Sequence, residues 1–517
     1  MSGRAATESV IAGRYSVSVG NPETPLPRGW AWAPLSDIAT LESGHTPSRE
    51  HPEYWDGPIS WIGIRDARVH DGGTIFETLQ TVTQDGIDNS AARLLPANTV
   101  CLSRTASVGY TVVMGRSMAT SQDFVNWLCS EAIWPRYLQY ALMAEGPDGL
   151  RRFGEGSTHT TIYYPEVKAF HVGLAPVNEQ RRIVAKLDEL RARSRKAREA
   201  LDEVPALLDK LKQSVLAAAF RGDLTAEWRA AQPPGSVEPA SVLLDRIRAE
   251  RRKRWEQANP KKKYVEPEPV DTDGLPELPE GWTWAPFEEL TPSDAAIVYG
   301  IIQPGPHIPD GVPFVRPADI QGGKIDFEAL PRTSPEIAQD YRRAALLPGD
   351  LVYSIVGTIG KWIIAGDELR GANITQSSVR LRPAAPLTAK FFAYALASPI
   401  LTTQIGRMLF GNAVQRLNVD HVRKLAVPMP PTMEWAQIER KIASALAAVQ
   451  RTAERVADAR DQVNSLDQSL LAKAFRGELV PQDPNDEPAE QLLARIKAES
   501  GSTDKGGRGR KAKGADR

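Results

Sequence analysis

Cysteine is scarce in this chain, and its scarcity excludes two kinds of construction. Only Cys101 and Cys129 occur among 517 residues, too few for a disulfide framework or a thiolate metal site. Both stand in apolar surroundings, so we expect core thiols in a reducing compartment, the cytoplasm. The seven histidines are scattered without the spacing of metal ligands.

Long apolar runs are missing as well. No stretch approaches the ~18 apolar residues that span a bilayer, and no charged-then-apolar N-terminal segment indicates export. The apolar fraction of 42% and the charged fraction of 25% are those of an ordinary soluble globular protein. The formal net charge of −1 argues against broad, non-specific binding to nucleic-acid backbone by this chain alone.

Motifs that carry catalysis are absent too. No Gly-x-Gly-x-x-Gly follows a strand and no Gly-x-x-x-x-Gly-Lys-Ser/Thr occurs, so neither a dinucleotide site nor a P-loop is indicated. The Asp/Asn-Pro-Pro-aromatic signature of amino-methyltransferases is also missing, since residues 429–432 read Met-Pro-Pro-Thr. We therefore expect a protein without chemistry of its own.

What the sequence does contain is a long internal repeat. Residues 26–250 return at 278–499. The segment 26–34 (Leu-Pro-Arg-Gly-Trp-Ala-Trp-Ala-Pro) returns at 278–286, and 219–224 (Ala-Phe-Arg-Gly-Asp-Leu) returns at 474–479. Such a long period indicates two copies of a composite unit. Two copies in one chain can pack with pseudo-two-fold symmetry, which suits a two-fold partner such as duplex DNA.

Each copy ends in a helix with heptad-spaced apolar residues. Residues 179–219 carry an unbroken a/d seam, in which Pro205 predicts a bend. Short connections are the norm, so we expect the two helices to pair antiparallel within the chain. The seam positions are Ile183, Leu187, Leu190, Ser194, Ala197, Leu201, Val204, Leu208, Leu211 and Val215, matched by Ile438, Ile442, Ala445, Val449, Thr452, Val456, Ala459, Val463, Leu466 and Leu470.

These patterns predict an α+β fold: two mixed α/β modules with pseudo-two-fold symmetry, joined by a long antiparallel two-helix coiled coil. Short β-rich runs between Gly and Pro predict many short strands in each module. The amphipathic segments 240–250 and 489–499 either pack on the coil ends or offer a docking surface. The expected boundaries are 1–25 (flexible lead), 26–178 (first module), 179–256 (first helix and amphipathic segment), 257–277 (linker), 278–431 (second module), 432–499 (second helix and amphipathic segment) and 500–517 (basic disordered tail).

Polar loops recur at matched positions of the two modules. Hydroxyls, amides and arginines are the groups that bind phosphates and base edges. Ordinary loop capping explains any single loop better, but four matched loops favour a shared surface. Their side chains differ between the copies, as in modules that read different half-sites, although free drift gives the same result. The loops, numbered first to fourth, are 44–48, 103–109, 121–123 and 156–160 in the first module, and 299–303, 354–361, 375–377 and 411–416 in the second.

The candidate DNA-contacting side chains come from these loops and their neighbourhood. Arginine can be bidentate to guanine, and glutamine to adenine. The first-module candidates are Thr46, Ser48, Arg104, Ser107, Gln122, Ser157, Thr158 and Thr160. The second-module candidates are Gln303, Arg316, Ser354, Thr358, Lys361, Gln376, Gln415 and Arg416. Arg316 has an alternative partner in Asp319.

In order and duplication these features resemble the specificity subunits of type I restriction–modification systems. The resemblance covers residues 26–250 and 278–499. The second helix, which opens with Glu-Trp-Ala-Gln-Ile at 434–438, departs from the Glu-Gln pair of the first. The shared features are the paired Leu-Pro-x-Gly-Trp segments, Gly44 with Thr46-Pro47, Tyr54-Trp55, Trp61, Asp66 matched by Asp319, the helix opening at 178–183 and the two Phe-Arg-Gly-acid-Leu helix ends.

The resemblance implies two target-recognition domains, each of which reads one half of a split, asymmetric DNA site, while the coil sets the gap. The partners it implies are double-stranded DNA and two modification subunits that bind S-adenosylmethionine and methylate adenine N6. It also implies restriction subunits that use ATP and Mg to translocate and cut DNA. This chain is expected to be non-catalytic and to hold no cofactor itself. Its partner surface is expected at the coil ends, around Phe220, Arg221, Phe475 and Arg476, and on the amphipathic segments.

Two other interpretations differ in kind. A coiled-coil adaptor that joins proteins without touching DNA would explain the coil and the duplication, but not the polar loops. A fused restriction–methylation enzyme would need a cofactor motif in this chain, and the sequence shows none.

Overall fold

A computed structural model of the chain describes residues 9–105, 107–156, 160–411 and 414–506. The first module contains strands β1 (Val17–Val19), β2 (Ala31–Pro34), β3 (Ala39–Ser43), β4 (Trp55–Ile62), β5 (Gly73–Ile75), β6 (Gln80–Val82), β7 (Val100–Ser103), β8 (Thr111–Met114), β9 (Ala119–Thr120), β10 (Phe124–Cys129) and β11 (Phe170–Leu174). The second contains β12 (Thr283–Pro286), β13 (Val298–Tyr299), β14 (Val312–Val315), β15 (Arg332–Thr333), β16 (Leu351–Ser354), β17 (Trp362–Ile364), β18 (Asn373–Ile374), β19 (Ser378–Leu381) and β20 (Ala426–Met429).

Helices occupy the rest of the framework. They are α1 (Leu35–Ile38), α2 (Ile64–Val69), α3 (Gln84–Asp88), α4 (Pro135–Arg151), α5 (Tyr164–Lys168), α6 (Val177–Arg221), α7 (Ala226–Ala230), α8 (Ala240–Ala258), α9 (Pro335–Asp340), α10 (Ala389–Ala397), α11 (Pro399–Met408), α12 (Val419–Lys424), α13 (Thr432–Phe475) and α14 (Ala489–Gly506). None of the helices among the described residues combines the length and the apolar character that a membrane crossing requires.

The sheets of the two modules correspond one to one. The first module has sheets of order β1-β11-β2, β3-β10-β7-β8-β5 and β6-β4-β9. The second has β20-β12, β13-β19-β16-β17 and β15-β14-β18. The correspondence extends to direction, because β4 pairs parallel with β9 and β14 pairs parallel with β18. The duplicated sequence therefore encodes one topology twice, with β1 and β5 added in the first module.

The chain divides into two compact units, residues 1–202 with 458–517 and residues 203–457. Each long helix thus contributes one half to each unit. In the first unit Arg198 pairs with Asp467 at 2.9 Å and Asp202 with Arg460. An advance along α6 therefore corresponds to a retreat along α13, and the predicted antiparallel pairing is confirmed. The helix α6 continues through Pro205 without a break.

Each long helix buries its seam more completely near its first residues than toward its last. Ile183 and Ile442 are fully buried, whereas Leu211 is 49% exposed and Leu466 is 49% exposed. The heptad spacing predicted an unbroken seam, and the structure buries that seam unevenly. Two helices enclose less of a seam residue than a larger bundle does, so these two leucines stay half open to solvent.

Each module's core takes in the end of the helix that belongs to the other copy. Phe475 of α13 packs against Tyr137 with ring centroids 5.2 Å apart, and Phe220 of α6 packs against Phe391 at 5.9 Å. The amphipathic segments join the same cores, through Leu492 in the first unit and Leu243 in the second. Of the two alternatives left open for these segments, packing on the coil ends is the one observed.

Part of the expected flexible lead is built into the first unit, where Ile11 already pairs with Val19. The buried carboxylate of Glu145 accepts hydrogen bonds from the backbone N–H groups of Tyr15 (2.8 Å), Ser16 (2.8 Å) and Val17 (3.1 Å). Val17 then pairs with Val172 in the sheet. A backbone held this way needs no sequence period, so the pattern could not reveal it. At the other end α14 runs to residue 506, beyond the expected start of a disordered tail at 500, and residues 507–517 lie outside the described residues.

Candidate nucleic-acid interface

The four polar loops of the first module lie together. The backbone N–H of Arg104 in the second loop donates to Asp123 O in the third (2.8 Å). Its guanidinium donates to Gln122 O (3.2 Å) and to Ile162 O beside the fourth loop (3.4 Å). Thr46 of the first loop is hydrogen-bonded to the Gln122 side chain. One surface therefore unites candidates that are as many as 114 positions apart in sequence, from Thr46 to Thr160.

The second module assembles its loops by the same backbone contacts. Ile355 N donates to Ser377 O (2.8 Å), and Leu417 N donates to Ile355 O (2.8 Å), which ties the second loop to the third and fourth. Gln376 N donates to Ile301 O (2.9 Å), which adds the first loop. The predicted grouping of the loops is thus observed in each module.

A buried serine shapes the second loop in both copies. Ser103 Oγ donates to Ser107 O (2.5 Å), and Ser354 Oγ donates to Thr358 O (2.6 Å) and accepts from Lys361 N (2.8 Å). Ser354 has no exposed surface. Its prediction as a DNA contact is therefore wrong, because its hydroxyl is used up in holding the turn.

In each module, a glycine in the first loop permits that loop to approach the third loop closely. A Cβ on Gly44 would stand 2.0 Å from Ser121 O, and a Cβ on Gly300 would stand 1.8 Å from Ile374 O. No side chain fits at either distance, so the first loop can reach the third only through glycine. This requirement is the physical reason for the Gly at matched positions of both copies.

The remaining candidates differ in how far they are free to contact a ligand. Ser107, Thr160, Thr46, Arg104 and Lys361 are half-buried, and Lys361 Nζ donates to Pro317 O (3.0 Å). Ser157 and Thr158 lie outside the described residues. The exposed candidates are Ser48, Gln122, Gln303, Arg316, Thr358, Gln376, Gln415 and Arg416.

Arg316 takes up the alternative partner named for it. Its guanidinium lies 2.7 Å from Asp319 Oδ1, and Asp319 Oδ2 accepts from Arg316 N (2.9 Å). The equivalent Asp66 accepts from Gly63 N (3.0 Å) and Leu79 N (2.8 Å). Each matched aspartate therefore fixes a turn in its module, and the Arg316 guanidinium is already paired with the aspartate of its own turn.

The second module presents a groove of about 990 Å³ between its loops. Gln376 and Arg416 line it as predicted, together with residues that the sequence reasoning missed. Among these are Tyr299, 47% exposed, and Phe410, 44% exposed. Exposed aromatic rings beside an arginine suit stacking on bases or sugars. Tyr299, directly before the first-loop glycine, could have been chosen from the sequence.

The thiols are placed as core residues. Cys101 is fully buried and Cys129 is partly buried. Burial raises the pKa of the Cys129 thiol to about 12 and raises that of Cys101 as well. Neither thiol forms the thiolate that a nucleophile or a metal ligand must be at neutral pH.

The expected partner surface at the coil ends needs correction. Phe220 is 1% exposed and Phe475 is 2% exposed, because each ring completes a module core. Neither ring can contact another subunit. Arg221 and Arg476 remain at the surface, where they pair with Asp223 (2.8 Å) and Glu478 (2.9 Å).

Known proteins share both the sequence and the fold. Residues 27–204 match the family model described as the type I restriction modification DNA specificity domain. The EcoBI specificity subunit of Escherichia coli is 30% identical over 335 residues, which cover 63% of this chain and 64% of that protein. The EcoKI specificity subunit of Escherichia coli K12 is 23% identical over 92% of this chain and 96% of that protein.

Two solved structures agree with the fold. A chain from a structure of a type I R-M system, described in terms of complex assembly and conformational transition, has a TM-score of 0.61 at 19% identity. It covers 88% of this chain and 100% of its own length. The HsdS subunit from Thermoanaerobacter tengcongensis has a TM-score of 0.51 at 19% identity, with 88% and 99% covered. Duplicated modules, paired long helices and matched loops accompany these similarities, and residues 27–204 belong to the family of type I restriction modification DNA specificity domains.

Proposed function

We propose that this chain is the DNA-reading subunit of a type I restriction–modification complex, and that each module reads one half of a bipartite site. One observation carries the proposal. Both modules hold four loops in the same hydrogen-bonded frame, yet the exposed side chains on that frame differ. A shared frame with different polar groups is what two readers of unlike half-sites require.

The charge of the chain supports a division of labour. A net charge of −1 provides little counterion release, which dominates affinity for DNA backbone. The modification subunits would supply that affinity, and this chain the sequence preference. We expect the isolated chain to bind DNA weakly, and the complex to bind tightly and specifically. Equal specificity of the isolated chain at low and high salt in a gel-shift assay would argue against this.

The exposed leucines on the coil of each unit are the best candidates for subunit docking: Leu466 in the first unit, and Leu207 and Leu211 in the second. Leu207 is 57% exposed and Leu211 is 49% exposed on α6, and Leu466 is 49% exposed on α13. Exposed leucines on a helical surface favour association with another apolar helix. We propose that the modification subunits dock on these leucines, in place of the buried Phe220 and Phe475.

A paired insertion into the coil tests the function directly. One heptad is inserted after Asp202 and one after Arg460, because these two residues face each other. Seven residues lengthen a helix by roughly 10 Å, which equals the rise of about three base pairs. Sequencing of methylated adenines in cells that express the complex should show unchanged half-sites and a spacer about three base pairs longer.

The control carries the heptad in α6 alone. It keeps the a/d phase but makes α6 roughly 10 Å longer relative to α13, so both helix ends can no longer reach their module cores and the complex should fail to assemble. A paired insertion that alters the half-sites and keeps the spacer contradicts the proposal. An adaptor that never touches DNA predicts no change in the methylated sequence from any of these variants.

A further inference from the structure

An arginine directly after the first loop of the first module, Arg49, is stacked on a tryptophan ring. The guanidinium carbon of Arg49 lies 3.6 Å from the centroid of the Trp55 ring and 5.9 Å from that of Trp61. Its Nη2 donates to Gln80 Oε1 at 2.9 Å. Stacking on the indole and one lateral hydrogen bond together fix the plane of the guanidinium.

The platform beneath Arg49 is tied to the polar loop itself. Trp55 Nε1 donates to Ser48 O (3.2 Å), and Trp61 Nε1 donates to His45 O (3.1 Å). The two indoles meet edge to face, with centroids 5.3 Å apart. Arg49 is therefore held at a fixed place beside Ser48, within the surface that the four loops form.

Most of the hydrogen-bonding capacity of Arg49 is unused. The residue is exposed, and within the described parts of the chain its guanidinium makes one hydrogen bond and no ion pair. A guanidinium has five N–H donors, so a pair of parallel donors remains for a ligand. The two acceptors of guanine in the major groove, O6 and N7, match such a pair.

The charges nearby favour a base edge over a phosphate. Glu50 and Glu53 are exposed in the same segment as Arg49, and His51 pairs with Glu53. Two carboxylates beside one arginine repel a phosphate more than they repel the uncharged edge of a base pair.

We infer that Arg49, positioned by Trp55 and Gln80, reads a guanine in the half-site of the first module. The inference rests on the proposed function and deepens it, since it assigns one base pair to one side chain. The second module has no arginine in the corresponding stretch, where residues 303–308 read Gln-Pro-Gly-Pro-His-Ile. The effect of Arg49 should therefore be confined to one half-site.

The test uses the assembled methyltransferase complex with Arg49→Ala, Arg49→Lys and Gln80→Leu. Binding is measured by competition against duplexes in which each base pair of both half-sites is replaced in turn. At one G·C pair of the first half-site, Arg49→Ala should lower discrimination about 5- to 100-fold. Arg49→Lys should fail to restore it, because an ammonium neither stacks nor binds in a bidentate manner. Gln80→Leu should weaken discrimination at the same pair.

The control is Arg193→Ala, which removes one exposed charge from α6, where Arg193 pairs with Glu189. It should leave discrimination unchanged at every position. The inference is overturned if the first half-site lacks a G·C pair, if Arg49→Ala weakens all duplexes equally and reduces the salt dependence, or if it changes nothing. A wild-type complex without half-site preference would instead overturn the proposed function.

Discussion

The two modules share the same hydrogen-bonded loop frame, but they carry arginines at different places on it. The N–H groups of Arg104 and Ile355 occupy equivalent positions, since each donates to the third loop of its module at 2.8 Å. At the end of the fourth loop, Thr161 and Arg416 form equivalent bridges to the second loop. The first module thus has an arginine on the second loop, and the second module has one on the fourth. Because backbone groups hold the loops, side chains can change without loss of the frame.

The junctions between module and helix differ more deeply. In the second unit the buried Glu434 carboxylate accepts from Trp282 Nε1 (2.9 Å) and Thr225 Oγ1 (2.6 Å), and pairs with Arg229. The equivalent Glu179 is also buried, but the nearby Arg182 pairs with Asp486 at 2.6 Å instead. Equivalent carboxylates therefore have different electrostatic support.

Substitution of the first-loop glycine should break the shared frame most severely. In Gly300→Ala the new Cβ would lie 1.8 Å from Ile374 O, so the loop must move. We expect a loss of about 3 kcal/mol or more in the free energy of unfolding, measured by urea denaturation, and a loss of preference in the second half-site alone. Gly406→Ala, in α11 with open space around it, is the control and should be neutral or stabilising. Equal effects of the two variants would disprove the close-approach argument.

Removal of the charge at the second junction should come next in size. Glu434→Gln leaves Arg229 without its carboxylate in a site where Glu434 has no exposed surface. Loss of one partner from a buried ion pair costs about 3 kcal/mol. Thermal denaturation should show a clear fall in Tm, whereas Glu179→Gln should not lower the Tm near neutral pH. If the two variants behave alike, the difference between the junctions has no energetic meaning.

Substitution of Arg416 and of Arg104 should distinguish a loss of DNA contact from a loss of loop stability. Arg416→Ala removes an exposed side chain and should weaken binding of the complex to DNA by about 1–3 kcal/mol without loss of stability. Arg104→Ala also removes hydrogen bonds to Gln122 O and Ile162 O, and should cost about 1–2 kcal/mol of folding stability as well. Gel shifts and urea denaturation of both variants measure the two effects. Assembly with the modification subunits should persist in both, and unchanged DNA affinity would favour the adaptor interpretation.

Repetition and periodicity account for what the sequence could predict. Leu351–Ser354 and Trp362–Ile364 are two of the short strands that the β-rich runs predicted, because apolar β-formers between glycines leave few alternatives. The antiparallel helices followed from short connections. The order of residues 14–17 and the burial of Ser354 could not be predicted, since both depend on backbone groups brought from distant segments. The stacking of Arg49 on Trp55 likewise depends on the folded path of the segment between them.

The smallest expected effect is a pH dependence of folding stability caused by Glu179, the buried carboxylate at the junction of the first module with its helix. Burial raises the pKa of the Glu179 carboxyl above its ordinary 4.5, so the folded chain holds this proton more tightly than the unfolded chain does. Its contribution to stability is therefore greatest below pH 4.5 and falls as pH rises through the raised pKa. The amide in Glu179→Gln does not titrate, so the free energy of unfolding of this variant should fall less with rising pH than that of the wild type. The variant should therefore become more stable relative to the wild type as pH rises. Urea denaturation of both proteins at several pH values above 4.5 measures this difference. Parallel plots of stability against pH would mean that the pKa of Glu179 is the same in the folded and the unfolded chain.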